Sequence, residues 1–313
     1  MSFTSEIKNE ILSVKISGAK AQRAFVSAFL RTCGSVEIVS DKFGFSVVSD
    51  RETVGYFCKI VKILYKKECA VETGASHQDR ATARLIGGDC LKILIDLGIL
   101  KNDGGITVAL NIGEDLICDE NAFRAYIVGA FLGSGSITVP KVEDKKKSKT
   151  GYHLEIVFSK YVTANDFSNI LAERGFMPRL VERKDQFVVY FKSVEEIENF
   201  IGLCGANGAY LKLTELEIQK GIRNAENRKL NCEMSNLTKT IDASIKQRDD
   251  IRLIAELIGL DGLKQSLKDV AVARLKSDDD ISMQQLADSL GISKSCLSHR
   301  LRKLSEIART LKL

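Results

Sequence analysis

The chain lacks the features that most often mark an enzyme, a membrane protein or a secreted protein. No apolar run approaches the roughly 18 residues needed to cross a bilayer. The opening MSFTSEIKNEILSVKI has no basic segment followed by an apolar one, so no signal peptide is expected and the protein should remain in the cytoplasm. There are only three histidines, His77, His153 and His299, and none has the spacing of a zinc ligand pair. Eight cysteines (33, 58, 69, 90, 118, 204, 232 and 296) are scattered with no CxxC. In a cytosolic chain such cysteines are expected to serve as small apolar residues. GxSxG, P-loop and HExxH patterns are absent. Gly87-Gly88 and Gly104-Gly105 read as turns, since neither leads into Lys-Ser/Thr. No cofactor and no metal are expected.

What is present is length and pattern. With 313 residues, 44% of them apolar and 28% charged, the chain can build two or three domains with ordinary cores. The net charge is only +5, but its placement is uneven. Between Gly291 and Leu313 stand six basic residues and one acid, Glu306, so this segment alone equals the excess of the whole chain. Residues 1–209 carry 27 basic and 26 acidic residues, a balance that argues against a strong phosphate grip there.

An internal repeat organises the first two thirds. RAFVSAFLRTCGS (23–35) aligns without gaps on RAYIVGAFLGSGS (124–136). Each copy is an apolar helix ending in Gly-Ser, followed by alternating strand-like segments. In the first half these are SVEIVSD and GFSVVSD, with a turn expected at Lys42-Phe43-Gly44. A helix over about 52–67, the strands CAVETGAS and RATARLIG, and a helix from Asp89 to Gly98 follow. The second half repeats the order: SITVPKVE, YHLEIVFS, a helix over about 163–174, a hairpin over Lys184-Asp185 and a helix over 194–203. DKKKSKT (144–150) reads as a solvated hairpin loop. Each half is therefore helix–strand–strand–helix–strand–strand–helix, and a mixed sheet carrying two central helices is expected. From Leu211 to Lys246 the chain is polar and helix-favouring, and a linker helix ending near residues 235–238 is expected. The last domain should open with helices at 249–258 and 263–275.

The end of the chain has the pattern of a helix-turn-helix. Ser282 with Gln285 makes a capping box for a helix burying Met283, Leu286, Ala287 and Leu290. Gly291 takes the turn and Ser293 caps the second helix. Leu297, Leu301, Leu304 and Ala308 form one buried stripe. The opposite face shows Ser295, Ser298, His299 and Arg302. Arg302 can pair bidentately with guanine, and the serines and His299 can reach base edges or phosphates. Lys294, Arg300 and Lys303 are suited to phosphates. The DNA-binding set is therefore Ser293, Lys294, Ser295, Ser298, His299, Arg300, Arg302 and Lys303, with double-stranded DNA as partner.

AYIVGAFLGSGSIT (125–138), YHLEIVFS (152–159) and GISKSCLSHRLRKLSEIA (291–308) together resemble the WhiA family of sporulation and cell-division regulators, over essentially the whole chain. The resemblance implies an α+β fold: a pseudo-two-fold duplicated LAGLIDADG-like αββαββα domain (1–209, repeats about 1–105 and 106–209), a helical linker (210–246) and an all-α helix-turn-helix domain (247–313). It implies a nucleoid-associated transcriptional regulator. Active endonucleases of this fold end each central helix in an acid that holds a divalent metal. Here Cys33 and Ser134 fill those positions before Gly34 and Gly135, and Arg31 and Leu132 precede them. The small contact residues Ala28 and Gly129 remain. A degenerate, catalytically dead scaffold is expected. The alternatives are a scaffold whose N-terminal domain docks a second regulatory protein, and an active homing endonuclease.

Overall fold

A computed structural model describes residues 2–73, 79–140 and 151–312. The expected loop at 144–150 lies outside these residues. The chain forms two compact units, Met1–Leu216 and Glu217–Leu313.

The first unit is built around the repeat. It begins with α1 (Phe3–Ser13), a helix that the repeat does not contain, capped by the Ser2 hydroxyl. The first repeat is α2 (Ala19–Cys33), β1 (Gly34–Val39), β2 (Lys42–Asp50), α3 (Arg51–Tyr65), β3 (Ala70–Thr73), β4 (Arg80–Ile86) and α4 (Cys90–Asp96). A hairpin of β5 (Leu100–Asn102) and β6 (Ile106–Val108) leads to the second repeat. That repeat is α5 (Glu120–Ser134), β7 (Ser136–Thr138), β8 (His153–Phe158), α6 (Tyr161–Glu173), β9 (Arg179–Arg183), β10 (Gln186–Phe191) and α7 (Val194–Cys204). The expected mixed sheet is instead two four-stranded sheets, β1-β2-β4-β3 and β7-β8-β10-β9. Every pairing in both is antiparallel, because each strand pair is a hairpin and its second strand joins the matching strand of the other hairpin.

The first hairpin turns two residues earlier than expected. Ser40 and Asp41 take the left-handed conformation (φ 48° and 62°) between paired Val39 and Lys42. Short polar side chains tolerate that region, and a two-residue turn of this hand matches the strand twist. Gly44 lies inside β2, where a Cβ would come within 2.7 Å of the Leu85 carbonyl oxygen. Lys184 and Asp185 make the corresponding turn of the second repeat, as expected (φ 51° and 61°).

Helices α2 and α5 form the centre of the unit and are buried along most of their length. They approach through small residues. A Cβ on Gly129 would overlap the Phe25 carbonyl oxygen and meet the Ala28 Cβ at 3.0 Å. Around this seam pack Phe25, Phe29, Phe45 and Phe57 from one repeat and Tyr126, Phe131, Phe158 and Phe167 from the other, all fully buried. Burying such rings is the main stabilising term of the unit. Arg31, at the end of α2, fastens the connection between the repeats. Its Nη1 donates to the carbonyls of Ala109 and Leu110, and its Nη2 to those of Gly98 and Asn111.

One continuous helix, α8 (Asn207–Leu257), replaces the expected linker helix ending at 235–238 and the separate helix from 249. Residues 222–258 contain neither glycine nor proline to stop it. The polar Ser-Asn-Leu-Thr run is accommodated within the helix: Thr238 Oγ1 donates to the Met234 carbonyl and Thr240 Oγ1 to that of Asn236, each at 2.9 Å.

The second unit holds the later part of α8 with α9 (Gln265–Lys276), α10 (Met283–Ser289) and α11 (Lys294–Leu311). Its core is Ile251, Ile254, Leu267, Val270, Ala271, Leu286, Ala287, Leu297, Leu301, Leu304 and Ala308. A buried arginine ties its helices together. Arg274 is 1% exposed, and its Nε donates to Gln247 Oε1 at 2.9 Å. Arg248 donates to the Arg274 and Ser277 carbonyls and pairs with Asp279 at 2.9 Å.

Candidate nucleic-acid interface

The geometry of α10, the turn and α11 follows from local chemistry. Ser282 accepts from the Gln285 backbone N–H while Gln285 Oε1 accepts from the Ser282 N–H at 3.0 Å, so both ends of the capping box are made. Gly291 supplies the left-handed step between the helices (φ 63°). Ser293 caps α11 by accepting from the Cys296 N–H at 3.2 Å. Leu297, Leu301, Leu304 and Ala308 are buried, which fixes the rotation of α11 and turns Ser295, Ser298, His299 and Arg302 to solvent.

The eight residues expected to meet DNA fall into two groups. Lys294, Ser295, Ser298, His299, Arg302 and Lys303 are exposed on or beside one face. Arg302 keeps 73% of its side-chain surface and has only a loose contact, at 3.9 Å, with Glu306 one turn on. Ser293 and Arg300 are engaged within the unit. Ser293 Oγ is committed to the cap and lies 3.0 Å from Ser295 Oγ. Arg300 is half-buried and its Nη1 donates to the Ser266 carbonyl at 3.4 Å, at the start of α9.

Cys33 and Ser134, at the ends of α2 and α5, are both engaged within the unit. Ser134 Oγ donates to the Val157 carbonyl at 2.7 Å and accepts from the Val157 N–H at 3.1 Å, which ties α5 to β8. Cys33 stands at the matching place beside Val48 of β2; burial pushes its thiol up to about 12, so it is protonated. Lys8 of α1 reaches these helix ends. Its Nζ donates to the Leu132 carbonyl at 3.2 Å, close to Cys33 and Asp50, and burial holds its pKa below the ordinary lysine value. The C-terminal end of a helix carries partial negative charge, so an ammonium is well placed there. A protonated thiol, a fully bonded hydroxyl and a cation do not suit a divalent metal.

The sheet faces turned away from the helices carry acids that local reading missed. Glu37 on β1 pairs with Arg84 of β4 at 3.1 Å and accepts from Ser46 Oγ at 2.5 Å. Glu155 on β8 lies 3.1 Å from His153 Nε2 and accepts from Ser136 Oγ. Lys8 was equally invisible: Ile7 and Ile11, one helical turn apart, are buried, but nothing local says where the ammonium between them lands.

These elements define the class: a LAGLIDADG-like α+β unit of two αββ sheets followed by a helical helix-turn-helix unit. Residues 123–223 match the WhiA LAGLIDADG-like domain and residues 227–308 the WhiA C-terminal HTH domain. Curated proteins named "Probable cell division protein WhiA" are similar over nearly the full length. The one from Clostridium tetani is 33% identical, covering 99% of this chain and 98% of its own. That from Staphylococcus haemolyticus is 34% identical, covering 98% and 96%. The chain belongs to the WhiA family. The crystal structure of full-length WhiA from Thermatoga maritima shares the fold, with a TM-score of 0.59 at 21% identity over 99% of both chains. The N-terminal LAGLIDADG domain of WhiA matches with a TM-score of 0.50 at 18% identity, covering 65% of this chain and 90% of that one. Among the described residues no helix is long and apolar enough to cross a membrane.

Proposed function

We propose that this chain is a sequence-specific DNA-binding transcriptional regulator of sporulation, cell division or chromosome segregation, acting at the nucleoid in the cytoplasm. The observation that carries this reading is the solvent face of α11. Ser295, Ser298, His299 and Arg302 stand at three- and four-residue spacing, flanked by Lys294 and Lys303, on a helix whose rotation is fixed by a buried leucine stripe. Such a helix lays its first turns in the major groove, where Arg302 reads guanine and the lysines hold phosphates. Ser293 and Arg300 contribute by setting the helix start and its seat on α9.

The LAGLIDADG-like unit acts in this reading without cleaving DNA. Cys33, Ser134 and Lys8 occupy the place where a nuclease needs carboxylates. A second regulatory protein is the proposed partner of that unit; Glu37 and Glu155 on its outer sheet faces are paired with Arg84 and His153. The test is selection and sequencing of genomic fragments retained by the purified protein at near-physiological salt with magnesium. Recovery of a recurring motif, uncut, is expected. Absence of any enrichment would transfer specificity to a partner, and cutting at a defined position would overturn the non-enzymatic reading.

A further inference from the structure

Arg23 of α2 and Arg124 of α5 hold the same position of the repeat, but only one of them is neutralised. The Arg23 guanidinium pairs with Asp96, at the end of α4, at 3.4 Å and with Asp115, in the segment leading into α5, at 2.5 Å. The counterparts of both acids are apolar. Helices α4 and α7 end alike, on left-handed Gly98 (φ 65°) and Gly205 (φ 82°), and in each the N–H of the next residue bonds back to the carbonyl of Leu94 or Ile201. Counted from those glycines, Leu203 takes the place of Asp96. Counted from the arginines, Val14 takes the place of Asp115, and the link into α2 (VKISG, 14–18) holds no acid. Among the described residues neither an ion pair nor a hydrogen bond engages Arg124. Its Nη2 lies against Gly205, close enough to exclude a Cβ there.

Beside this arginine is a cavity of about 150 Å³. Its wall is apolar, built by Ile11, Val14, Ile16, Ala21, Ala125 and Val128, and its charged groups are two cations, Lys15 and Arg124. Cys204 also faces it; burial raises the thiol's pKa, so the wall gains no negative charge from it. We propose that this cavity binds a small organic carboxylate with an apolar body. The carboxylate does for Arg124 what Asp96 and Asp115 do for Arg23, because the paired N–H donors of a guanidinium match two carboxylate oxygens. Lys15, exposed at the rim, adds a second positive charge. The body lies against Ile11, Ala21 and Val128, in a space on the order of one aromatic ring or a short branched chain. An uncharged compound of the same shape leaves Arg124 unpaired, and an inorganic anion leaves the wall uncovered, so charge and apolar bulk are both required.

The test uses the full chain with isoleucine, leucine and valine methyl groups labelled for NMR. Benzoate and isovalerate are titrated in, with benzyl alcohol as the uncharged control and inorganic phosphate as the control without an apolar body. Saturable shifts at Ile11, Val14, Ile16 and Val128 are expected with at least one carboxylate, and both controls should bind about tenfold more weakly or not at all. Arg124→Gln should weaken carboxylate binding by about tenfold or more. Leu203→Asp, which supplies the acid of the first repeat and keeps the arginine, should weaken it as well. If either variant misfolds, Lys15→Gln, a change at an exposed residue, should weaken binding several-fold. The proposal is overturned by the absence of saturable shifts with both carboxylates, by shifts confined to other methyl groups, by equal binding of benzyl alcohol or phosphate, or by unchanged binding in the variants.

Discussion

The Lys8 ammonium donates to the Leu132 carbonyl, 3.2 Å away, in the last turn of α5. A cation delivered by α1 thus stands where the repeat alone would leave a helix end open. Ser134, two residues on, is spent on Val157. The unit is held together at its centre by protein groups.

That protonated centre sets a pH dependence. Cys33 titrates at 9.0 in an ordinary setting and at about 12 in the fold. Between those values the unfolded chain releases the proton and the folded chain keeps it, so stability is full below pH 9 and falls as pH rises toward 12. Cys33→Ala should flatten this alkaline loss, as measured by urea unfolding at neutral pH and near pH 10. An unchanged slope would mean that Cys33 ionises freely in the fold.

The helix seam should be intolerant of added volume. Gly129→Val forces atoms into the Phe25 carbonyl and the Ala28 methyl and should cost about 1–3 kcal/mol or more in urea unfolding. Gly221→Ala on α8, where a Cβ meets nothing within 4 Å, should instead stabilise by about 0.5–1 kcal/mol.

On the proposed reading face, Arg302→Ala should weaken binding to the selected DNA motif by about 1–3 kcal/mol and relax preference at one base pair. Lys303→Ala should weaken all sequences alike and lower the salt slope by about one. Quantitative binding titrations over a salt series separate the two. Equal loss on every sequence for Arg302→Ala would reassign that residue to the phosphates.

Ser293 should behave as a cap. Ser293→Ala should destabilise the second unit by about 1 kcal/mol, while Ser293→Asn should restore stability because its side chain can accept the same N–H. Thermal unfolding of the two variants decides this. Equal stability of both would leave Ser293 free to be a DNA contact alone.

The repeat, the strand–helix order, the capping box and the buried leucine stripe of α11 were legible because each is set by neighbours a few residues apart. Periodicity, glycine and capping serines carry that information in the chain itself. The course of α8 was not: residues 222–258 hold neither glycine nor proline to stop it, and the polar run that reads as a helix end stays helical, with the Thr238 and Thr240 hydroxyls bonding carbonyls one turn back. The turn falls at Ser40-Asp41, and Gly44, read as part of the turn, lies inside the sheet where a Cβ would meet the Leu85 carbonyl oxygen.

By itself the sequence determined that the chain has two αββαββα repeats, whose central helices end without acids, and a basic helix-turn-helix at its end. Only the tertiary structure decided that Lys8 meets Leu132, that Arg31 fastens the connection between repeats and that Arg300 seats α11 on α9. These contacts join side chains to groups that local pattern does not pair, and their energy depends on burial and distance, which exist only once the chain has packed.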